Sequence, residues 1–461
     1  MNDLLHSQIG AATPPVECLG LTFPSDQARR EHFLNLLGEK LKDPAFRTQE
    51  GFPLGTDEAI LAMSDPPYYT ACPNPFLGEF VQQYGKPYDP TVKYLREPLA
   101  IDVSVGKTDQ LYRAHSYHTK VPHLAIVPSI LHYTEPGDIV LDGFSGSGMT
   151  GVAAQWCGSA PAAYRHELEI EWKKQAKSSP KWGARRIILN DLSPAATFIA
   201  ANYNLPFDVE AFAKAGKQLL KEVEQEIGWM YETTHTDGKT KGRVEYMVWS
   251  EVFTCPNCAG DIVFLNEALN NETKRVKDSF ECPHCAAQLT KGKLDRVLEN
   301  RLDPITQLSW KRIKLAPALI SYRIGNARYK KEPDANDLHV AATVESFQIP
   351  AEVPNIRFPI ESMYHGSRIA PKGFTHTQHF FVPRALQAVG LLWKKASENS
   401  DPRLRSMLLY WIEQSLWSMS VMNKYEPIQF GRADGNASQV GRFMKGVYYE
   451  IPPQDLSLLR E

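Results

Sequence analysis

Ile139-Val140-Leu141-Asp142-Gly143-Phe144-Ser145-Gly146-Ser147-Gly148-Met149-Thr150 is the stretch that decides how this 461-residue chain is read. Three apolar residues ending in an acid form a short run of buried-strand type. The glycines after it let the backbone pass close to a ligand, and a helix starting at Met149 presents unpaired N–H groups to an anionic group. Gly143, Gly146 and Gly148 do not have the G-x-G-x-x-G spacing, so the loop is nucleotide-type without being the dinucleotide fingerprint. A second strand-like run, Ile187-Ile188-Leu189, ends at Asn190-Asp191, where an acid is placed to accept hydrogen bonds from ribose hydroxyls. Ser193 and Pro194 suit the N-cap and first position of a helix through Ala201. Strand, glycine turn, helix, strand, acid is the start of a parallel α/β sheet. Alone, the glycine loop could be a tight strand–helix turn without a ligand; its pairing with Asp191 favours the ligand.

Outward from this core, Pro122 to Tyr133 has helical spacing, and Glu135-Pro136-Gly137-Asp138 is a turn. Ala163 to Arg186 is a polar insertion between the two strand-like runs. Further upstream, Ala59 to Met63 reads as a short buried strand that runs into Ser64-Asp65-Pro66-Pro67-Tyr68, where proline forces a turn. The chemistry of that turn can be reasoned out. An exocyclic amine on adenine or cytosine is a poor nucleophile because its lone pair is delocalised into the ring. A carboxylate and a backbone carbonyl accepting its two hydrogens expose that lone pair. Asp65 supplies the carboxylate, and the Pro66-Pro67 stretch stiffens the turn and leaves the Pro66 carbonyl free to accept. Tyr68 can stack on a base withdrawn from a duplex. The bland alternative is a rigid surface turn with a satisfied Asp.

The sequence resembles the S-adenosylmethionine-dependent DNA amino-methyltransferases in which a D-P-P-Y motif precedes the cofactor loop. His118-Thr119-Lys120-Val121-Pro122 resembles that family's H-P-T-Q-K-P motif, shortened by a residue. Val140 to Thr150 resembles its cofactor loop, and Asn190-Asp191 with Ser193-Pro194 its ribose-binding element. The resemblance implies that Asp65, Pro66, Pro67 and Tyr68 are catalytic. It implies that Asp142, Phe144, Ser145, Gly146, Gly148 and Thr150 hold the cofactor, with Thr119 and Lys120 at its side and Asp191 on the ribose. The implied fold is a Rossmann-like methyltransferase sheet, and the implied reaction is direct in-line transfer without a covalent enzyme intermediate. The expected activity is site-specific methylation of the N6 amine of adenine in double-stranded DNA. A cofactor- and DNA-binding subunit of a larger or split enzyme, with a partner chain, is the alternative, as is an N4-cytosine or RNA methyltransferase. A place in restriction–modification or phage defence is likewise an expectation from resemblance.

Cys255-Pro256-Asn257-Cys258 and Cys282-Pro283-His284-Cys285 form C-x2-C-x23-C-x2-C. Each knuckle brings two thiolates within reach of one ion, and together they make the tetrahedral set zinc favours. Four protein ligands leave no open position, so such a metal is structural. A zinc ribbon inserted in a D-P-P-Y chain narrows the resemblance to the zinc-ribbon-containing adenine-specific DNA methylases.

From Lys291 to Lys331 there are eleven Lys and Arg against three acids, in a chain of net charge −2. With Trp310, Tyr322 and Tyr329 interleaved, this stretch suits a surface meeting phosphates and bases, against the default of a solvated charged face. Thr375-His376-Thr377-Gln378-His379 has no carboxylate at ligand spacing, so its histidines read as polar or DNA-facing. Gly431 to Asn436 reads as a loop. Phe380 to Trp393 and Leu404 to Met422 look like helices, as does the amphipathic stretch 208–235. The expected organisation is an extension over 1–50, the methyltransferase core over 51–207 and a helical linker over 208–245. The zinc ribbon over 246–294 and a mixed, basic DNA-recognition region over 295–461 complete it.

Composition sets the outer bounds. An apolar fraction of 43% with 23% charged residues is that of a globular protein. Near-neutral charge excludes coating nucleic acid by bulk charge alone. Seven cysteines, four of them in C-x-x-C pairs, point to metal binding in a reducing compartment. Met1 to Pro15 has neither a basic nor an apolar region of signal-peptide type, and no apolar run approaches the ~20 residues of a membrane helix. The expectation is a cytoplasmic protein with no membrane association.

Overall fold

Ser25 opens the first long helix, Asp26–Leu41, its hydroxyl accepting from the Ala28 N–H. Phe33, Leu37 and Leu41 lie on the buried face of that helix, in a cluster with Phe23, Phe46, Ile60 and Phe76. The computed structural model describes residues 15–450 apart from 51, 88, 116, 118, 119, 176, 271, 274, 364, 365, 427–438 and 443–446. Thr119 and the 431–436 loop therefore lie outside the described residues. The chain divides into two units, Met1–Pro206 and Phe207–Glu461.

In the first unit, strands Ile139–Asp142 and Arg186–Leu189 pair in parallel, with Asp142 opposite Leu189. Helices Met149–Ser159 and Ala162–Lys174 form the crossover between them. Half of the stretch read as a polar insertion, Ala163 to Lys174, is therefore helix. Its Leu168 and Trp172, one turn apart, join Val127, Ile130, Leu131, Ala153 and Cys157 in a second core cluster. Ser193 caps the Pro194–Asn204 helix as its sequence predicts, accepting from the Ala196 N–H. Mixed α/β architecture is observed; among the described residues this parallel sheet has two strands.

One element differs in kind from its sequence reading. Residues 59–63 are not a strand but the body of a helix, Asp57–Met63. A short apolar run cannot be assigned by periodicity alone. The deciding signal lies just ahead of it: Thr56 accepts from the Ala59 N–H, and Asp57 and Glu58 sit in the first turn, where the helix dipole favours acids.

The second unit is built on a fourteen-residue strand, Lys241–Thr254, in a sheet of nine strands among the described residues. It pairs antiparallel with Leu315–Ile324 on one side and Val447–Glu450 on the other. The predicted 208–235 helix ends earlier, at Ile227, and gives way to a 3-10 turn and the strand Glu232–Thr234. Helices Pro383–Ser397 and Pro402–Met419 match the two predicted from the C-terminal half.

Candidate functional site

The glycine loop leaves the first parallel strand and lines a cleft of about 190 Å³ with Tyr117, Lys120, Val121 and Ile126. Asp142, Phe144, Ser145, Gly146 and Thr150 all border this cleft. Its shape is held by carboxylates. Asp142 accepts from the Phe144 N–H at 3.1 Å and from the Thr150 hydroxyl at 2.5 Å. Asp191 accepts from the Gly146 N–H at 2.9 Å and the Ser193 N–H at 2.9 Å, tying the loop to the start of the next helix. The Ser145 N–H reaches the Asn190 carbonyl at 2.9 Å. The two acids singled out in the sequence thus act on one loop.

Gly148 is left-handed, at φ +77°, and caps the Met149–Ser159 helix without a side-chain bond. A Cβ there would lie 2.7 Å from the Ala200 Cβ and 2.8 Å from the Asn204 amide nitrogen. Gly148→Ala combines that clash with roughly 1–2 kcal/mol for the left-handed backbone. A lower thermal midpoint and loss of ligand binding to the cleft by calorimetry are expected; wild-type behaviour in both would show that the close approach is not required.

Two observations fit the cleft to an anionic, hydrogen-bonding ligand. The Ser145 and Ser147 hydroxyls are buried and have no hydrogen-bond partner among the described residues, the condition of polar groups that await one. Lys120 donates to the His115 carbonyl at 2.8 Å and the Tyr203 hydroxyl at 3.2 Å, with its ammonium 4.8 Å from the Tyr112 ring centre. Burial brings its pKa down to about 8, as expected of an ammonium facing a cleft without full compensation.

The Asp65-Pro66-Pro67-Tyr68 turn is closed by paired backbone bonds between Asp65 and Tyr69, at 2.8 and 3.0 Å. The Ser64 hydroxyl and the Asn74 amide stitch its two sides, bonding to Ala71 N and Pro67 O at 2.9 Å each. Tyr68 is exposed, at 52%. The next residue, Tyr69, is half-buried, and its hydroxyl meets Thr197 on the helix that follows Asp191. The turn is thereby connected to the glycine-loop elements, although Asp65 does not itself line the cleft.

Arginines missed in the sequence surround Asp65. Arg29, 1% exposed, donates to the Asp65 carboxylate at 2.9 Å and to the Pro66 carbonyl at 2.5 Å, and its guanidinium lies 4.5 Å from the Tyr68 ring centre. Arg30 pairs with the same carboxylate at 3.2 Å. No motif announces these residues; the only hint is two arginines in a helix whose buried face is otherwise apolar.

In the second unit the sulfurs of Cys255, Cys258, Cys282 and Cys285 all lie within 4.8 Å of one another, with two pairs at 3.8 Å. A tetrahedral ion with metal–sulfur bonds of ~2.3 Å requires sulfur–sulfur edges of ~3.8 Å. The set could therefore hold a metal. Both knuckles turn the same way, with Ala259 and Ala286 left-handed at φ 59° and 58°. His284 is not a fifth claimant: its Nε2 bonds the Asp261 carbonyl at 2.8 Å and its ring covers Gly260.

The basic stretch is largely neutralised. Arg323 and Arg328 converge on buried Glu245, and Arg296 on Glu251. Arg301 and Arg312 pair with Glu299, Lys314 with Asp261, and Lys331 with Asp334 and Asp337. Trp310 stacks at 3.9 Å on His379, which is buried and bonded to Asp303 at 2.7 Å. His379 is thus a core histidine, not a surface one, and much of this stretch's charge belongs to the fold.

Residues 81–177 match a family model described as DNA methylase, of the N6/N4 methyltransferases. The match spans roughly a fifth of the chain, including Lys120 and the glycine loop but neither Asp65 nor Asp191. This similarity supports a DNA methyltransferase and leaves N6-adenine and N4-cytosine equally served. No curated protein and no solved structure matches the chain. Among the described residues no helix is long and apolar enough to cross a membrane.

Proposed function

We propose that the chain is a DNA amino-methyltransferase that uses S-adenosylmethionine to methylate the N6 amine of adenine in double-stranded DNA, in the cytoplasm. The observation that carries this reading is the cleft itself: a family-matched glycine loop held by Asp142 and Asp191, with Lys120 beside it and two serine hydroxyls unpartnered among the described residues. The bound cofactor would supply an electrophilic methyl group on a sulfonium. Asp142, Phe144, Ser145, Gly146, Gly148 and Thr150 would hold its amino-acid end, Lys120 and Thr119 would flank it, and Asp191 would face the ribose. Asp65 and the Pro66 carbonyl would accept the two hydrogens of the target amine, and Tyr68 would stack on the extruded base. The four cysteines would hold a structural zinc. Incubation with labelled cofactor and varied DNA, followed by nucleoside analysis, tests the assignment. Labelled N6-methyladenine is expected; label in N4-methylcytosine moves the substrate, and no label in DNA overturns the activity.

Lys120 makes the reading pH-dependent. Its charge attracts the cofactor carboxylate only while it is protonated, so binding should weaken as pH rises through about 8. The folding effect has the opposite sign. With the folded pKa below the unfolded one, the unfolded chain binds more protons between those values, and this group's contribution to stability rises with pH there. Cofactor titrations from pH 7 to 9.5 should show the loss in wild type and not in Lys120→Met; identical profiles would remove Lys120 from the site.

A second reading has its own support. Asp65 is engaged by Arg29 and Arg30 and does not line the cleft, the arrangement expected of a cofactor- and DNA-binding subunit whose catalytic motif lies on a partner chain.

A further inference from the structure

Arg29 occupies the receptors that the main reading gives to the substrate. An adenine amine needs a carboxylate for one hydrogen, a carbonyl for the other, and an aromatic face for its ring. The Arg29 guanidinium, planar and rich in N–H donors, takes the Asp65 carboxylate at 2.9 Å, the Pro66 carbonyl at 2.5 Å and the face of Tyr68 at 4.5 Å. All three groups, which lie in a turn, are engaged by one side chain of the Asp26–Leu41 helix. Two neighbours make a withdrawal feasible. Asp26, on the same helix, already holds Arg29 through both carboxylate oxygens, at 2.8 and 3.0 Å, so a moving guanidinium keeps a counter-ion. Arg30 pairs with Asp65 at 3.2 Å and bonds the Ser64 carbonyl at 2.8 Å, so the carboxylate keeps its orientation when Arg29 leaves.

We propose that Arg29 is a stand-in for the target base, a competing side chain that holds the base subsite until a base able to replace its hydrogen bonds displaces it. The proposal rests on the catalytic role of Asp65 proposed above. A base without an exocyclic amine would leave both acceptors unpaired, a loss that returns the site to Arg29. Competition of this kind lowers apparent affinity by the fraction of sites left open, and removing the competitor restores it.

Arg29→Gln cannot span both acceptors, and Arg29→Lys reaches only one at a time. With an oligonucleotide carrying adenine opposite an abasic site, Arg29→Gln is expected to lower KM about tenfold with kcat near wild type, and Arg29→Lys to fall between. Preference for adenine over unsubstituted purine in binding should stay as in wild type, because one competitor lowers the affinity of both bases by the same factor. An unchanged or higher KM with a collapsed kcat would overturn the proposal and leave Arg29 as a support for Asp65. Should both variants fail to fold, phenylglyoxal labelling of the wild-type chain decides. Arg29 should be protected in the free protein and react once extrahelical adenine is bound; protection in both states overturns the proposal. Asp65→Asn separates the two claims. Wild-type activity in that variant refutes the parent reading, whereas an inactive Asp65→Asn with an unchanged KM in Arg29→Gln refutes the stand-in alone.

Discussion

Asp65→Asn should reduce methyl transfer to DNA by on the order of 10³-fold while cofactor binding stays near wild type. The substitution keeps the shape of the side chain but replaces one acceptor oxygen with a donor. The amine of the target base would then face an N–H group instead of an oxygen, and its lone pair would stay in the ring. Cofactor binding is spared because Asp65 lies outside the cleft lining. The carboxylate also anchors Arg29 and Arg30, so thermal unfolding of the variant must be measured alongside. A loss of activity that exceeds any loss of folded protein identifies the chemistry. Retained transfer would instead favour the subunit reading, in which Asp65 holds two arginines and a partner's motif does the work.

The structural settings of Asp65 and of the glycine loop were unequally visible in the sequence. The loop was legible because its constraints are local: strand, acid, glycines and helix lie within twelve residues, and Ser193-Pro194 marks the next helix by composition alone. The helix at Asp57–Met63 was misread because a run of five apolar residues carries no period, and the Thr56 cap outside the run settles it. Arg29 was invisible for a different reason. Its partners are 36 and 37 residues away, and nothing in a guanidinium's own neighbourhood says which carboxylate it will meet. The same limit explains the basic stretch from Lys291 to Lys331. Its excess charge is real in sequence, but Glu245, Glu251, Asp261 and Glu345, which neutralise much of it, come from other parts of the chain. Charge counted along a segment predicts a surface field only when folding brings no opposite charge to it.

The second large effect is expected at the cysteines. Chelation, or Cys258→Ser, should unfold the lobe around residues 255–289 and release one zinc ion per chain. The lobe has a small core of its own, including Phe253, Ile262, Phe264, Phe280 and Leu289. Its strands Phe280–Glu281 and Gln288–Leu289 are two residues each, too short to hold a hairpin unaided. Zinc binding supplies on the order of 10 kcal/mol in small domains of this kind. Without the ion, four thiols packed within 4.8 Å lose the centre that draws them together, and both left-handed knuckle turns lose their anchor. Hydrogen exchange should therefore quicken across 255–289. The Lys241–Thr254 strand, paired with Leu315–Ile324 over residues 243–251, should stay protected there. His284→Ala should retain the metal, since that ring is spent on the Asp261 carbonyl. A purified chain that carries no zinc, yet shows slow exchange over the same residues, would mean that apolar packing alone closes the ribbon.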